Sequence, residues 1–429
     1  MARKTQNTSQ EPAVVEGSAM LRRVFPLLQR LASAGTGRDK ARNRRLLYSQ
    51  YAALVLVGLF NPVLQSARAL VAASGLKAVR KLTGGRKVSL GAFSEATAVF
   101  DPQLLEGLVK SLRQQVQQQG HRRRMTGLRQ QIPDALLERL VAVDASVLSA
   151  LPQIVSRLGR PHQGQWRLHA EFRVVHGTLE AATLTQEPAA GSRSERAVVT
   201  KRRQHAAAER PDPSGDLLLL DRGYRSAKLF NDLHRAGDDY VCRLMWNDGA
   251  AVSEPVTGPD GRPIELPALT AAAREAGVVA DELIVLGGSG ASPTRTDHPV
   301  RRITVIPPAD RPSSARQGRV RSDQGGKNEL VLATTLLDLP AELIVLLYEC
   351  RWQIELFFRF LKHVLKCQHL LSAKTAGVQI QLYCALIASL LLALATQGNV
   401  TRRRYEMVCL YLTGWADEEE LMAAMKKPP

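Results

Sequence analysis

The chain has 429 residues, 45% hydrophobic and 23% charged, long enough for two or three domains and too apolar for a disordered polyelectrolyte. Its 58 Lys and Arg against 40 Asp and Glu leave a formal charge of +18, which selects polyanionic partners, nucleic acid before anionic membrane. The cysteines (Cys242, Cys350, Cys367, Cys384, Cys409) include no CxxC pair, which argues against a disulfide framework or a zinc site and for a reducing compartment.

Residues 1–17 are polar and read as a disordered tail, and Met1 to Glu16 lack the apolar core of a signal peptide. Residues 18–130 have a helical pattern, with apolar runs such as Tyr51 to Leu64. The clearest helix begins at Asp101-Pro102, a cap followed by proline in the first turn, and carries Leu104, Leu105, Leu108, Val109, Leu112 and Val116 at amphipathic spacing. Basic clusters recur here: Arg42, Arg44 and Arg45; Lys77, Arg80 and Lys81; Arg86 and Lys87; Arg122, Arg123 and Arg124. No aromatics interleave with them, so they suit phosphates of duplex DNA better than stacked single strands, against the alternative of a solvated basic face.

Residues 131–245 alternate between strand and helix. Leu140 to Val143 is a short apolar run ending in Asp144, and Trp166 to Val175 and Thr178 to Thr185 are two strands joined at His176-Gly177. A basic stretch punctuated by Gly, Ser and Pro, Gly191 to Gly215, leads to Leu217 to Leu220, a fully apolar buried strand ending in Asp221. A helix from Ser226 to Ala236 and a strand from Tyr240 to Leu244 complete a mixed α/β sheet. Residues 246–337 read as a β-rich insertion, with strands at Glu282 to Leu286, Arg302 to Ile306 and Glu329 to Thr335. Trp246, just after a strand, reads as a packing residue. Residues 338–398 are helical and 399–429 form a short, partly basic tail. Ala376 to Ala395 is about long enough to span a bilayer, but its Gln, Tyr and Ser interruptions favour a buried helix packed on the sheet.

Two candidate carboxylates, Asp144 and Asp221, thus sit at ends of buried strands, and Asp221 is followed by Arg222-Gly223-Tyr224. Tyr348, Arg351, Glu355 and Lys362 share the helix after the insertion. At roughly 100° per residue they fall in one stripe about 60° wide, opposite an apolar stripe of Cys350, Ile354, Phe357, Leu361, Val364 and Leu365. Alone, Arg351 and Glu355 would be an ordinary i, i+4 ion pair.

Together, Asp144, Asp221 with its Arg-Gly-Tyr, and the Tyr-x2-Arg-x3-Glu-x6-Lys helix resemble the DDE transposases of insertion sequences, the branch with a β-rich insertion before the catalytic helix. The resemblance covers roughly residues 90–395. It implies a ribonuclease H-like mixed-sheet α/β catalytic domain, with the β-rich insertion, after a helical N-terminal DNA-binding region. It implies Asp144, Asp221 and Glu355 as catalytic, metal-binding carboxylates for two Mg²⁺ ions, with Mn²⁺ able to substitute. Tyr348, Arg351 and Lys362 would grip phosphates near the DNA end, with Arg222 and Tyr224 as secondary members. The implied activity is cleavage and strand transfer on duplex DNA by a homodimer in the cytoplasm, associated with the nucleoid and not with a membrane. The alternative is a catalytically inactive, transposase-derived DNA-binding repressor. Only 74 residues follow Glu355, fewer than is usual in this branch for pairing two DNA ends.

Overall fold

The computed structural model describes Leu28 and Leu31, residues 45–119 (without 62 and 65), 130–149, 165–186, 191–209, 215–251 (without 247 and 249), 261–289, 292–306, 329–365, 370–396 (without 373) and 402–426. The polar tail 1–17, Arg42, Arg44, Arg122 to Arg124 and Cys367 lie outside them. The chain divides into two compact units, one of residues 1–121, 150–157 and 360–429, the other of residues 122–149 and 158–359.

The second unit is built on a nine-stranded sheet of order β3-β2-β1-β4-β5-β11-β10-β7-β6. Its first half comprises β1 (Leu140–Ser149), β2 (Gln165–Arg173), β3 (Thr178–Gln186), β4 (Leu217–Leu220) and β5 (Asp239–Leu244). β2 runs antiparallel to both β1 and β3, while β4 lies parallel to both β1 and β5. This is the ribonuclease H-like arrangement that the resemblance implies. The β2–β3 turn closes on Gly177, whose φ of 67 a side chain would resist.

Alternation along these strands sends the two faces to different partners. Val141, Val143, Leu218, Leu220, Tyr240 and Cys242 join Phe230, Leu233 and Val199 in one buried core. Phe230 and Leu233 come from the helix Ala227–Arg235, which Ser226 caps through the Leu229 amide. Val199 comes from the helix Gly191–Glu209. That helix occupies most of the basic, Gly-, Ser- and Pro-punctuated stretch 191–215, for which the sequence pattern assigns no element, and the Ala-rich run 206–208 with no proline between 191 and 210 favours it. On the opposite face the Phe172 and Phe357 rings meet at 5.4 Å, so the helix Trp352–Arg359 covers that side.

The sequence between 246 and 337 supplies β6 (Ala250–Ala251), β7 (Val278–Val285), β10 (Val300–Val305) and β11 (Leu330–Thr334). β8 (Gly287–Ser289) and β9 (Ser292–Arg295) form a separate hairpin. β11 pairs antiparallel with β5, so the insertion extends the main sheet. Arg301 on β10 is fully buried, pairs with Asp281 through two nitrogens at 2.8 and 2.6 Å, and donates to the carbonyls of Leu336, Leu337 and Leu339. It thereby fixes the loop that launches the helix Ala341–Glu349, the carrier of Tyr348. Trp246 is 74% exposed, not packed as its place after β5 suggests.

The single helix expected to carry Tyr348, Arg351, Glu355 and Lys362 is interrupted. Cys350, Arg351, Gln353 and Ile354 donate to carbonyls three residues back, tightening the chain between Ala341–Glu349 and Trp352–Arg359. A π-helical turn, Phe360–Val364, follows, with Leu365 N donating to Phe360 O at 3.0 Å. The uniform 100° rotation behind the single stripe therefore fails, since tight and wide turns rotate the chain by different steps.

The other unit is helical: Tyr48–Phe60, Ala67–Ala73, Lys77–Thr83, Leu90–Val99, Gln103–Gln118, Thr375–Thr396, Arg402–Leu412 and Glu418–Lys426. Asp101 Oδ1 accepts from the Gln103 amide, so it caps Gln103–Gln118 as its sequence suggests. Among the described residues one helix, across Thr375–Leu394, is long and apolar enough to cross a membrane, and 78% of that window is buried. It packs against Gln103–Gln118, Tyr48–Phe60 and Leu90–Val99, so its cover is helical, not the sheet expected. Among the described cysteines Cys242, Cys350, Cys384 and Cys409 are free thiols.

Candidate active site

β1 and β4 pair in parallel with Val143 opposite Leu220, so each strand's next residue, Asp144 or Asp221, emerges at the same level. Parity puts Asp144 with Ala142 and Asp221 with Leu219, on the face opposite the Val143 and Leu220 core. That is the face covered by Trp352–Arg359, which carries Glu355 in its first turn.

Asp144 is half-buried and accepts a hydrogen bond from the Ala145 amide at 2.8 Å. Burial pushes its carboxyl up to about 7; the Ala145 bond and Arg351 oppose the rise, while the negative charges of Asp221 and Glu355 add to it. The three carboxylates therefore feel one another. Glu355 is compensated locally, since Arg351 Nη2 donates to its Oε1 at 2.6 Å. Among the described residues no three His, Cys, Asp or Glu side chains are gathered closely enough to hold a metal ion.

Tyr348 and Arg351 do not form the exposed ridge expected of them. Tyr348 is buried, with the Arg351 guanidinium 5.7 Å from its ring centre. Both keep a buried polar atom without a hydrogen-bond partner, the Tyr348 hydroxyl and Arg351 Nε. Burial pushes the Tyr348 hydroxyl up, away from ionisation. Burial works against the Arg351 charge, yet Tyr348, Asp221 and Glu355 hold it firmly protonated.

After Asp221 the chain makes a 3-10 turn, Arg222–Tyr224, in which Arg222 is exposed and Tyr224 buried. The Tyr224 hydroxyl is a third buried polar atom without a partner. Burial raises its pKa well above the usual phenol value, and the Asp144 and Glu195 charges push the same way. Beside this turn lies an open hollow of about 600 Å³ lined by Arg196, Asp221, Arg222, Gly223, Arg225 and Met245. Arg225 is held by Asp248 at 2.5 and 2.6 Å, and Arg196 Nη1 donates to the Arg225 carbonyl at 3.0 Å.

Asp144, Asp221, Glu355, Tyr348, Arg351, Arg222 and Tyr224 all belong to this unit, whereas Lys362, on the π-helical turn, belongs to the other. Sequence reasoning missed Glu195, which Arg167 on β2 holds by an ion pair, and Arg196. Both ride on the helix Gly191–Glu209, and its Ala-rich end was the available signal.

Residues 136–391 match the family model described as the transposase DDE domain. The chain is 32% identical over 156 residues to "Putative transposase y4zB" of Sinorhizobium fredii (strain NBRC 101917 / NGR234), covering 35% of this chain and 37% of that one. It thus spans little more than a third of the curated relative it matches. Among solved structures it is similar to a piggyBac transposase synaptic complex with hairpin DNA, with a TM-score of 0.45 and 10% identity over 97% of this chain and 83% of that one.

Proposed function

The chain belongs to the family of transposase DDE domains, and from that premise we propose that it cleaves and rejoins DNA strands at Asp144, Asp221 and Glu355. The observation that carries this reading is the shared level and face of Asp144, within β1, and Asp221, just past the end of β4, beneath the helix of Glu355.

The chemistry of the three carboxylates, though not yet their spacing, suits divalent magnesium. The donor atoms are all oxygen, as a hard cation prefers, and the Asp221 and Glu355 charges add to the burial that raises the Asp144 carboxyl to about 7. Glu355 spends one oxygen on Arg351 and keeps Oε2 outside that bond. Bound there, two Mg²⁺ ions would lower the pKa of an attacking water or 3′-hydroxyl and stabilise the leaving oxygen.

The surrounding side chains have separate tasks. Arg351 orients Glu355, and its buried, unpartnered Nε would be a donor for a phosphate oxygen if the site opened to DNA. The Tyr348 hydroxyl, buried and kept protonated, offers a second donor. Arg222, exposed beside Asp221, would neutralise a backbone phosphate, and Tyr224 would close the floor beside Asp144; Lys362, in the other unit, is assigned to phosphate on the resemblance alone. Two copies would bring two duplex ends together on the nucleoid, in the cytoplasm.

The test is cleavage of a labelled duplex carrying an end of the encoding element, with Mg²⁺, for the native chain and Glu355→Gln. Loss of cutting with preserved binding supports the reading. Equal cutting by both removes Glu355 from the site. Binding without cutting by either chain turns the reading into that of a DNA-binding repressor.

A further inference from the structure

We propose that the short helix Lys77–Thr83, with Arg86 and Lys87 after it, is a phosphate-contacting surface for duplex DNA. This rests on the reading of the chain as a DNA-acting protein and names a surface apart from the carboxylates.

The sequence concentrates charge of one sign here. No Asp or Glu occurs between Asp39 and Glu95, while Arg68, Lys77, Arg80, Lys81, Arg86 and Lys87 all do. These six side chains are exposed and make no ion pair among the described residues. Other cations among the described residues are tied down: Arg203, Arg301 and Arg302 are held by carboxylates.

Local geometry aligns the charges. Lys77, Arg80 and Lys81 stand at i, i+3 and i+4, one face of a single helix. Like charges so placed cost a few tenths of a kcal/mol per pair in isolation, and Lys77 sits in the first turn, where the helix dipole disfavours a cation. A bound polyanion reverses both penalties.

The helix is also mounted for a partner. It buries none of its residues, and Leu76 before it is 59% exposed. At seven residues it cannot hold itself together in water. Its supports lie on either side. Ser74 Oγ accepts from the Val88 amide at 2.9 Å and donates to the Val71 carbonyl, Gly84 ends the helix at φ 63, and Gln50 Nε2 donates to the Gly84 carbonyl at 2.9 Å. The outward face is therefore held without being used.

The chemistry favours duplex DNA. No aromatic occurs between Phe60 and Phe93, so the surface offers single strands no stacking platform. Seven residues with no broad apolar face are also a poor membrane anchor.

The experiment measures affinity of the full chain for a fluorescent DNA duplex across a salt series, without reading cleavage. The native chain is compared with Lys77→Gln/Arg80→Gln/Lys81→Gln and with an equal charge loss elsewhere, Lys110→Gln/Lys228→Gln/Arg274→Gln. The first variant is expected to bind at least tenfold more weakly and to lower the slope of log K against log salt by about 2 to 3, at ~0.9 per lost phosphate contact. The control should keep most of the slope, and both variants should melt with the native chain. An unchanged slope in the first variant, or an equal fall in the control, overturns the surface while native binding leaves the DNA reading standing. Preference of the same surface for duplex RNA or anionic vesicles over DNA overturns it too. If the native chain bound no DNA, both readings would fall together.

Discussion

Arg351 Nη2 stands 2.6 Å from Glu355 Oε1, so one cation of the site is already committed to one of its carboxylates. The pair is part-buried, and its guanidinium also lies over the Tyr348 ring. Arg351→Ala leaves Glu355, Asp221 and Asp144 without that charge and is expected to cost about 1–3 kcal/mol in urea unfolding. Glu355→Gln keeps an oxygen for Arg351 and should stay within about 1 kcal/mol of native. A reversed order would show that the pair does not hold the helix start.

Divalent cation binding has its own thermal signature. A ligand that binds only the folded chain raises its stability by mass action, ~2.7 kcal/mol at a hundredfold excess over Kd. Mg²⁺ added to chelator-treated protein should raise the Tm of the native chain, and much less that of Asp144→Asn or Asp221→Asn. The same rise in all three would mean that the cation binds elsewhere.

A pH effect is expected away from the carboxylates. His298 is buried, stacks on His234 with ring centres 4.3 Å apart, bonds the Tyr240 hydroxyl at 3.0 Å and has Asp297 at 3.2 Å. Burial lowers its pKa, with His234 and Arg235 acting alike and Asp297 against them. The unfolded chain thus binds this proton more readily, so stability present above the unfolded value, ~6.5, falls away as pH drops through the lower folded one. Between pH 7.5 and 5 the native Tm should fall further than that of His298→Gln; parallel curves would exclude His298 as a source of the acid sensitivity.

Arg203 is the cation with most at stake in the core. It is buried, bonds Asp238 through two nitrogens at 2.8 and 2.9 Å, and reaches Asp216 at 2.6 Å and Glu171 at 3.3 Å. Arg203→Met strands carboxylates gathered from three places in the chain and should cost about 3–5 kcal/mol. Chemical denaturation at neutral pH measures this, and a loss below about 1 kcal/mol would mean water already reaches the cluster.

Much of the site is legible because apolar runs that stop at an aspartate mark it, although β1 itself continues past Asp144 to Ser149. Leu140 to Val143 and Leu217 to Leu220 are uninterrupted apolar runs, and each stops at an aspartate. The hairpin at His176-Gly177 and the strands at 302–306 and 329–335 are marked by alternation and turn residues, whereas 282–286 catches only the second half of β7. The breaks around Cys350 and Phe360 are not. No proline or glycine marks them, and they become visible only as hydrogen bonds to the wrong carbonyl. Glu195 was hidden for another reason: an acid among arginines reads as surface charge until its ion pair with Arg167 ties it to β2. Trp246 shows the limit from the other side, since neighbouring strand residues say nothing about which side chain faces water.

The pairing of β11 with β5 changes what kind of object the insertion is. An appended module can be trimmed away, and the parent sheet then ends where it ended before. Here, excision between 246 and 337 would strip β5 of its neighbour and bare a row of amides and carbonyls beside Val241 and Leu244, a template for pairing with other chains. Shortened descendants of this protein would thus face aggregation before loss of activity, and the segment is inherited as masonry of the wall, not as an annex.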